Sequence, residues 1–292
     1  MQKGEIDLQS AWQHKRNNPV IRWLLYALMV VWSICVIYPL IWTVLGSLKS
    51  NQQFMLKAPW SLPDWPFRWD NFANVWNNYN LETYFMNSLL VTTVSTVLAL
   101  LLASTTSYII ARFPFRGSLA LYNLYLASMM IPLILGLIPL FFLLSDLGLD
   151  NSLFGLSLIY TAINLPFGIF VLVGFFKSLP KELDEAASID GSSHYGVFFR
   201  IMLPLAKPGI ISVGMMNVLN IWNEYIIGTV LVNDPGKYTI PVGIAVMQAE
   251  MQYRTEWGAL FAGLLLSIVP VLILYAIFQR QITSGMIAGA VK

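Results

Sequence analysis

Charged residues are scarce in this chain of 292 residues: they make up 11%, whereas 57% of the residues are hydrophobic. A typical soluble domain carries about 25% charged and roughly 45–50% apolar residues, so this chain lacks the polar groups to cover a water-facing surface. Intrinsic disorder requires low hydrophobicity and high charge, and is excluded as well. The one cysteine, Cys35, rules out an internal disulfide framework. The remaining class is a membrane protein with several spans.

Several catalytic signatures are also missing. No G-x-x-x-x-G-K-[ST] phosphate-binding loop occurs, so we expect no ATP hydrolysis by the chain itself. Neither H-E-x-x-H nor G-x-S-x-G occurs, and the two histidines, His14 and His194, are far apart in the sequence. A metal site needs several convergent ligands. We therefore predict no catalytic residue and no metal site, and an enzyme is disfavoured.

Six apolar stretches are long enough to cross a bilayer as helices, each of which needs about 20 residues. We predict an all-α polytopic protein with six transmembrane helices. The predicted spans are residues 23–48, 88–111, 119–144, 153–176, 209–232 and 258–278. The serines and threonines of the second span are interpreted as packing groups, because small side chains let helices approach closely.

The small net charge of +2 conceals an asymmetry between the two sides of the predicted bundle. The side with both termini carries twelve lysine and arginine residues and the other side carries five. The positive-inside rule therefore places both termini in the cytoplasm. The predicted divisions are a cytoplasmic N-terminal segment at 1–22, a first helix at 23–48, an external loop at 49–87, a core at 88–280 and a cytoplasmic tail at 281–292.

The predicted external loop is rich in tryptophan. Trp60, Trp65, Trp69 and Trp76 lie within it. Such residues are typical of the aromatic belt at a membrane–water interface. They also suit a docking surface for an external partner, and the sequence leaves both interpretations open.

Polar residues cluster in the predicted fifth span, as Asn217, Asn220, Asn223 and Glu224. Positions 217, 220 and 224 would share one face of a continuous helix. An acid in a membrane is costly and usually faces a cavity or a partner. The cluster is therefore a candidate pathway for a transported substrate, and the alternative is hydrogen bonding between helices.

The loop after the fourth span predicts a short helix at the membrane surface, over about residues 181–191. Pro180 suits its start, acids occupy its first turns, and Gly191 can adopt a left-handed cap. A helix this short is unstable alone. It must pack on the chain's own helix ends or on a soluble partner.

This loop resembles a known family. The run EAASIDG at residues 185–191, followed by Pro204 and Pro208, is similar to the EAA signature of inner-membrane permease subunits of ABC importers. Ser192 departs from the alanine usual there. Further matching segments are residues 108–112, 164–167, 222–225 and 285–292. The third of these resembles the sugar-importing branch, and the last resembles the tail of the maltose-type second permease.

The resemblance implies a type I ABC importer permease fold, whose coupling helix docks on a cytoplasmic ATPase. It implies ATPase-coupling roles for Glu185, Ala186, Ala187, Asp190 and Gly191. It also implies a homologous second permease, two ATP-binding subunits and an external solute-binding protein. No cofactor is expected in this chain, since ATP and magnesium belong to the partner subunits, and no nucleic acid is expected.

The function that follows is half of a sugar or oligosaccharide pathway in the cell membrane, working by alternating access. Two alternatives remain open. One is an ion-coupled secondary transporter that uses Glu224. The other is a structural membrane subunit without a pathway.

Overall fold

A computed structural model describes residues 19–250 and 256–290, and within these ranges the chain is helical without any strand. The α-helices of the described residues are α1 (Pro19–Ser47), α2 (Asn51–Leu56), α3 (Asp70–Asn77), α4 (Leu81–Arg112), α5 (Ser118–Ser128), α6 (Leu137–Asp146), α7 (Leu153–Ser178), α8 (Glu182–Ile189), α9 (His194–Val197), α10 (Leu203–Leu205), α11 (Lys207–Trp222), α12 (Ile226–Leu231), α13 (Ile240–Glu250) and α14 (Trp257–Ala290). Short 3₁₀ turns occupy Leu133–Gly136 and Pro235–Lys237, and a π-helical turn occupies Phe198–Met202.

Four described segments are long and apolar enough to cross a membrane: α1, α4, α7 and residues Trp257–Gln279 of α14. Two bent helix pairs bring the number to six if each pair counts as one span. The predicted all-α polytopic fold is thus confirmed. The predicted third and fifth spans differ in detail, because neither is one continuous helix.

The predicted third span breaks between α5 and Leu133–Asp146, with a bend of 93°. Pro132 lies at the break with φ −63° and ψ 115°. Proline lacks the N–H that a helix needs and disfavours helical geometry in the residue before it. Apolar length alone did not reveal this break. Pro39, Pro166 and Pro270, by contrast, lie inside unbroken helices.

The predicted fifth span is also interrupted. Helix α11 ends at Trp222 and is followed by a break before α12 begins at Ile226. The helical segment His194–Leu205 precedes α11 and is bent by 74° from it. The expectation of one helix over residues 209–232 was therefore wrong.

The other boundaries shift modestly. Helix α4 begins at Leu81, inside the predicted external loop, and α14 continues through the predicted tail to Ala290. The predicted N-terminal segment lies mostly outside the described residues.

The chain divides into two compact units. In the first, residues 19–72 and 256–265 pack together. The Asn71 side-chain amide donates to the carbonyls of Ser47 (2.8 Å) and Lys49 (2.9 Å). The aromatic ring of Phe54 stacks on that of Phe261, with centroids 5.3 Å apart. These contacts fix the position of the segment that follows α1.

The second unit is built on the parallel pair α4 and α7, whose contacts advance in the same direction along both helices. Ser95 Oγ donates to the Ser157 carbonyl (3.0 Å) and Ser107 Oγ to the Ile169 carbonyl (3.3 Å). A Cβ placed on Gly168 would lie 2.9 Å from the Cβ of Ala103, so the two backbones are as close as small residues permit. The packing role predicted for the small residues of the second span is in agreement with these contacts.

Candidate functional site

The loop after α7 forms the short helix expected from the sequence. Helix α8 covers Glu182–Ile189, within the predicted 181–191. Gly191 follows with φ +76°, in the left-handed region. The Ser192 amide then donates to the Ala187 carbonyl at 3.0 Å, the bond that closes a Schellman-type end. The left-handed backbone therefore favours glycine at this position.

The inner face of α8 packs on the ends of the spans. Ala187 is buried, and it belongs to a cluster of buried residues that includes Tyr108, Phe176 and Phe198. This cluster joins residues from α4, from α7 and from the π-helical turn. The short helix is therefore held by the chain's own helix ends on this face, which is one of the two arrangements that the sequence allowed.

An ion pair joins this inner face of α8 to the end of α4. Arg112 Nε lies 3.3 Å from Asp184 Oδ2, and the Tyr108 hydroxyl donates to Asp184 Oδ1 at 3.2 Å. The Arg112 guanidinium also donates to the Leu179 carbonyl at 2.9 Å. The Arg112 side chain is only 5% exposed. A displacement of α8 must therefore also displace the end of α4.

The sequence does not indicate this role of Asp184, which is one of several acids in the first turns of the short helix. The signal was available in part, because Arg112 ends a span and needs a counter-charge nearby. Nothing in a single sequence indicates which of the acids in the loop would supply it.

The outer face of α8 is exposed and mixed in character. Glu185, Ala186, Asp190 and Gly191 are exposed, so four of the five predicted coupling residues point away from the spans. Ile189 is 86% exposed and Tyr195 is 80% exposed. Two large apolar side chains beside acids form a surface that is suited to contact a protein.

The predicted polar stripe of the fifth span is not formed. Asn217 is fully buried, and its side-chain atoms have no hydrogen-bond partner among the described residues. Asn220 and Asn223 are exposed. Because α11 ends at Trp222, Glu224 does not continue the face of Asn217 and Asn220.

Glu224 instead holds the break between α11 and α12. Its carboxylate accepts hydrogen bonds from the backbone amides of Ile227 (2.8 Å) and Gly228 (3.2 Å). The buried Tyr160 hydroxyl of α7 donates to the same carboxylate. A carboxylate at a helix start satisfies amides that have no partner within the helix. This arrangement corresponds to hydrogen bonding between helices, the alternative to a pathway role.

Asn164 of α7 links to the same region. Its Nδ2 donates to the Tyr160 carbonyl at 2.8 Å, and Asn220 Nδ2 lies 3.5 Å from its Oδ1.

No group of three or more histidine, cysteine or acidic residues suited to a metal ion occurs among the described residues.

Comparison with known proteins agrees with these features. Residues 95–287 match the family of binding-protein-dependent transport system inner membrane components. The chain is 39% identical to the diacetylchitobiose uptake system permease protein of Streptomyces coelicolor, over 91% of this chain and 88% of that one. It is 34% identical to the sulfoquinovosyl glycerol transport system permease protein of Agrobacterium fabrum, over 88% and 89%.

A solved structure is also similar. It is a chain of a bacterial ABC transporter involved in the import of the acidic polysaccharide alginate, matched with a TM-score of 0.80 and 21% identity. The match covers 91% of this chain and 97% of that chain. At this identity the likeness establishes the fold alone.

Proposed function

Because the chain belongs to the family of binding-protein-dependent transport system inner membrane components, we propose that it forms one half of the pathway of an ATP-driven carbohydrate importer. It is a multi-pass protein of the cell membrane and a permease subunit, and ATP is hydrolysed by partner subunits. Its partners are a homologous second permease, two ATP-binding subunits and an external solute-binding protein. The ATP and magnesium of the cycle bind in the ATP-binding subunits, and this chain needs no cofactor.

The observation that carries the coupling role is the two-sided character of α8. Its inner face is fixed to α4 by Asp184 and Arg112, and its outer face presents Glu185, Ala186 and Asp190. A rigid element of this kind can convert closure of a docked ATPase into movement of the spans. The proposal assigns this outer face, together with both termini, to the cytoplasmic side, where an ATPase could bind it.

The pathway is proposed to run past Asn220 and Asn223. Both side chains are exposed in the chain alone, and an exposed amide is costly against lipid hydrocarbon. We therefore assign them to a water-filled pathway or to its wall at the second permease. Asn217 and Glu224, which complete the predicted set, are assigned to internal packing.

The substrate class is a sugar or oligosaccharide. It is supported by the diacetylchitobiose and sulfoquinovosyl glycerol systems to which the two relatives belong. The exposed amides of Asn220 and Asn223 are donors and acceptors of the kind that bind hydroxyl groups. Glu224 does not support the ion-coupled alternative, since its carboxylate is already used by three donors.

The test is uptake by the complete complex in proteoliposomes. We expect uptake of a labelled carbohydrate to require ATP inside and the loaded binding protein outside.

Asn220→Leu is expected to reduce uptake about five-fold or more, by loss of one hydrogen bond to substrate. Asn217→Leu is the matched control and is expected to leave uptake unchanged, because that side chain is buried. Uptake driven by a proton gradient without ATP would overturn the assignment, and equal effects of the two variants would overturn the pathway.

A further inference from the structure

A cleft opens in the compact unit that contains α8, at the opposite end of α4 from that helix. It has a volume of about 580 Å³ and is lined by residues of α3, α4 and α13 and of the turns between them. Tyr84, in the first turn of α4, lines this cleft, whereas Arg112, in the last turn, holds α8. A helix of 32 residues extends roughly 48 Å, so the two sites lie on opposite sides of a bilayer.

The polar part of the lining consists mainly of amides. Asn74, Asn78 and Asn80 all contribute to it. Asn78 Nδ2 donates to Asn74 Oδ1 at 2.8 Å, which uses only part of the bonding capacity of the two groups. Asn80 has a left-handed backbone (φ +54°), and its side chain does not cap the backbone of the helix start but pairs with the Tyr84 hydroxyl. These amides are suited to bind hydroxyl groups, as both donors and acceptors.

The apolar part of the lining is aromatic. The rings of Tyr84 and Tyr238 lie 5.9 Å apart at an angle of 50°. Tyr84 rests directly on Gly243, where any added Cβ would overlap its ring. Amphipathic rings beside a few polar groups are the usual lining of a small-molecule site.

The charge of the cleft selects among carbohydrates. Glu250 lines it, and no lysine or arginine occurs among the described residues that do. A carboxylate or sulfonate on a sugar would meet a like charge there, and none of the described lining residues offers a cation to offset it. Neutral hydroxyl and acetamido groups would meet no such penalty.

We propose that this cleft is an entry subsite for neutral oligosaccharides, where one sugar ring binds on its way from the binding protein to the pathway. The proposal rests on the proposed import function, because import requires this cleft to face the external side, from which the binding protein delivers the sugar. It narrows the substrate class to neutral sugars, in contrast to the acidic polysaccharide imported by the structurally similar transporter.

The test measures binding of labelled sugars to the purified complete complex in nanodiscs, without binding protein. The probes are the neutral sugars diacetylchitobiose and maltotriose and the anionic trigalacturonate. We expect at least one neutral probe to bind and trigalacturonate not to bind. Asn80→Gly keeps the left-handed backbone and removes the amide, and it should weaken neutral binding about five-fold. Asn78→Leu should do the same.

The matched control is Asn77→Leu, because Asn77 is the exposed last residue of α3, directly before Asn78, and does not line the cleft. It should leave binding unchanged. Glu250→Lys should let trigalacturonate bind. Unchanged neutral binding in both Asn78→Leu and Asn80→Gly, trigalacturonate binding to the wild type, or no binding of any probe would each overturn the proposal.

Two further measurements distinguish a sugar site from a protein contact and check import itself. If the cleft variants weaken docking of the binding protein and leave sugar binding unchanged, the cleft is a protein contact and the proposal is wrong. ATP-driven uptake by the wild-type complex is measured on the same preparation. Its absence refutes the proposed import function, whereas its presence with unaltered sugar binding in the variants refutes only the subsite.

Discussion

At the scale of single residues, the clearest departure from the sequence interpretation is Glu224. An acid within an apolar stretch suggests a proton or ion site. The structure gives it a different task, because it accepts from two backbone amides and from Tyr160 at a helix break. A carboxylate is the side chain that can satisfy several donors at once.

This arrangement predicts the behaviour of two variants of Glu224. Glu224→Gln keeps a side-chain acceptor for the break and should retain ATP-driven uptake within about ten-fold of the wild type. Glu224→Leu leaves the amides of Ile227 and Gly228 without an acceptor and should reduce the yield of assembled complex. Size-exclusion chromatography and uptake assays measure the two effects. A Glu224→Gln complex that assembles normally but transports nothing would instead support a role in ion or substrate transfer.

At the scale of elements, the short helix α8 could be predicted closely from the sequence. Pro180, the acids of the first turns and Gly191 are local signals, and local signals act over the length of such a helix. The division of its faces could not be predicted in the same way. It depends on Tyr108 and Arg112, which are distant in the chain and reach Asp184 only after folding.

The outer face of α8 yields a comparison between two acids. Both Glu182 and Glu185 are exposed, but only Glu185 belongs to the segment assigned to ATPase coupling. We expect Glu185→Lys to weaken association with the ATP-binding subunits and Glu182→Lys to have a much smaller effect. The measurement is the amount of ATPase that co-purifies with an affinity-tagged permease. Equal loss from the two variants would mean that general charge, and not this segment, governs docking.

The broken helices could not be predicted from the hydrophobic pattern. Hydrophobic length located six apolar segments but could not distinguish a straight helix from one broken near Pro132 or after Trp222. Proline is tolerated inside membrane helices when neighbouring groups satisfy the freed carbonyls. Whether it breaks a helix therefore depends on packing, which is why Pro166 and Pro132 behave differently.

At the scale of the whole molecule, the distribution of basic residues remains the basis for orientation. The excess of lysine and arginine predicts that the loop with α8 and both termini lie in the cytoplasm. The external loop with its exposed tryptophans is assigned to the other side. Trp65 is 82% exposed. This agrees with either interpretation of the loop, since belt and docking residues are both exposed in the chain alone.

Orientation can be tested with single cysteines in a Cys35→Ser background. Ile189→Cys should react with a membrane-impermeant maleimide only in inside-out vesicles, and Trp65→Cys only in right-side-out vesicles. Both parent side chains are highly exposed, so reactivity reports sidedness and not burial. The reverse labelling pattern would invert the assignment of the α8 surface and of the proposed sugar subsite.

The close contact of α4 with α7 has a consequence for the lipid environment. At Gly168 and Ala103 there is no room for a methyl group, and still less for an acyl chain. Lipid molecules therefore cannot enter the contact between α4 and α7, and lipid composition and bilayer thickness cannot act on it directly. By contrast, α1 is a mainly apolar helix of 29 residues that is exposed along most of its length, so it should tilt as the hydrocarbon layer thins. Any dependence of transport on the type of lipid is expected to originate in elements like α1 and not in the α4–α7 pair.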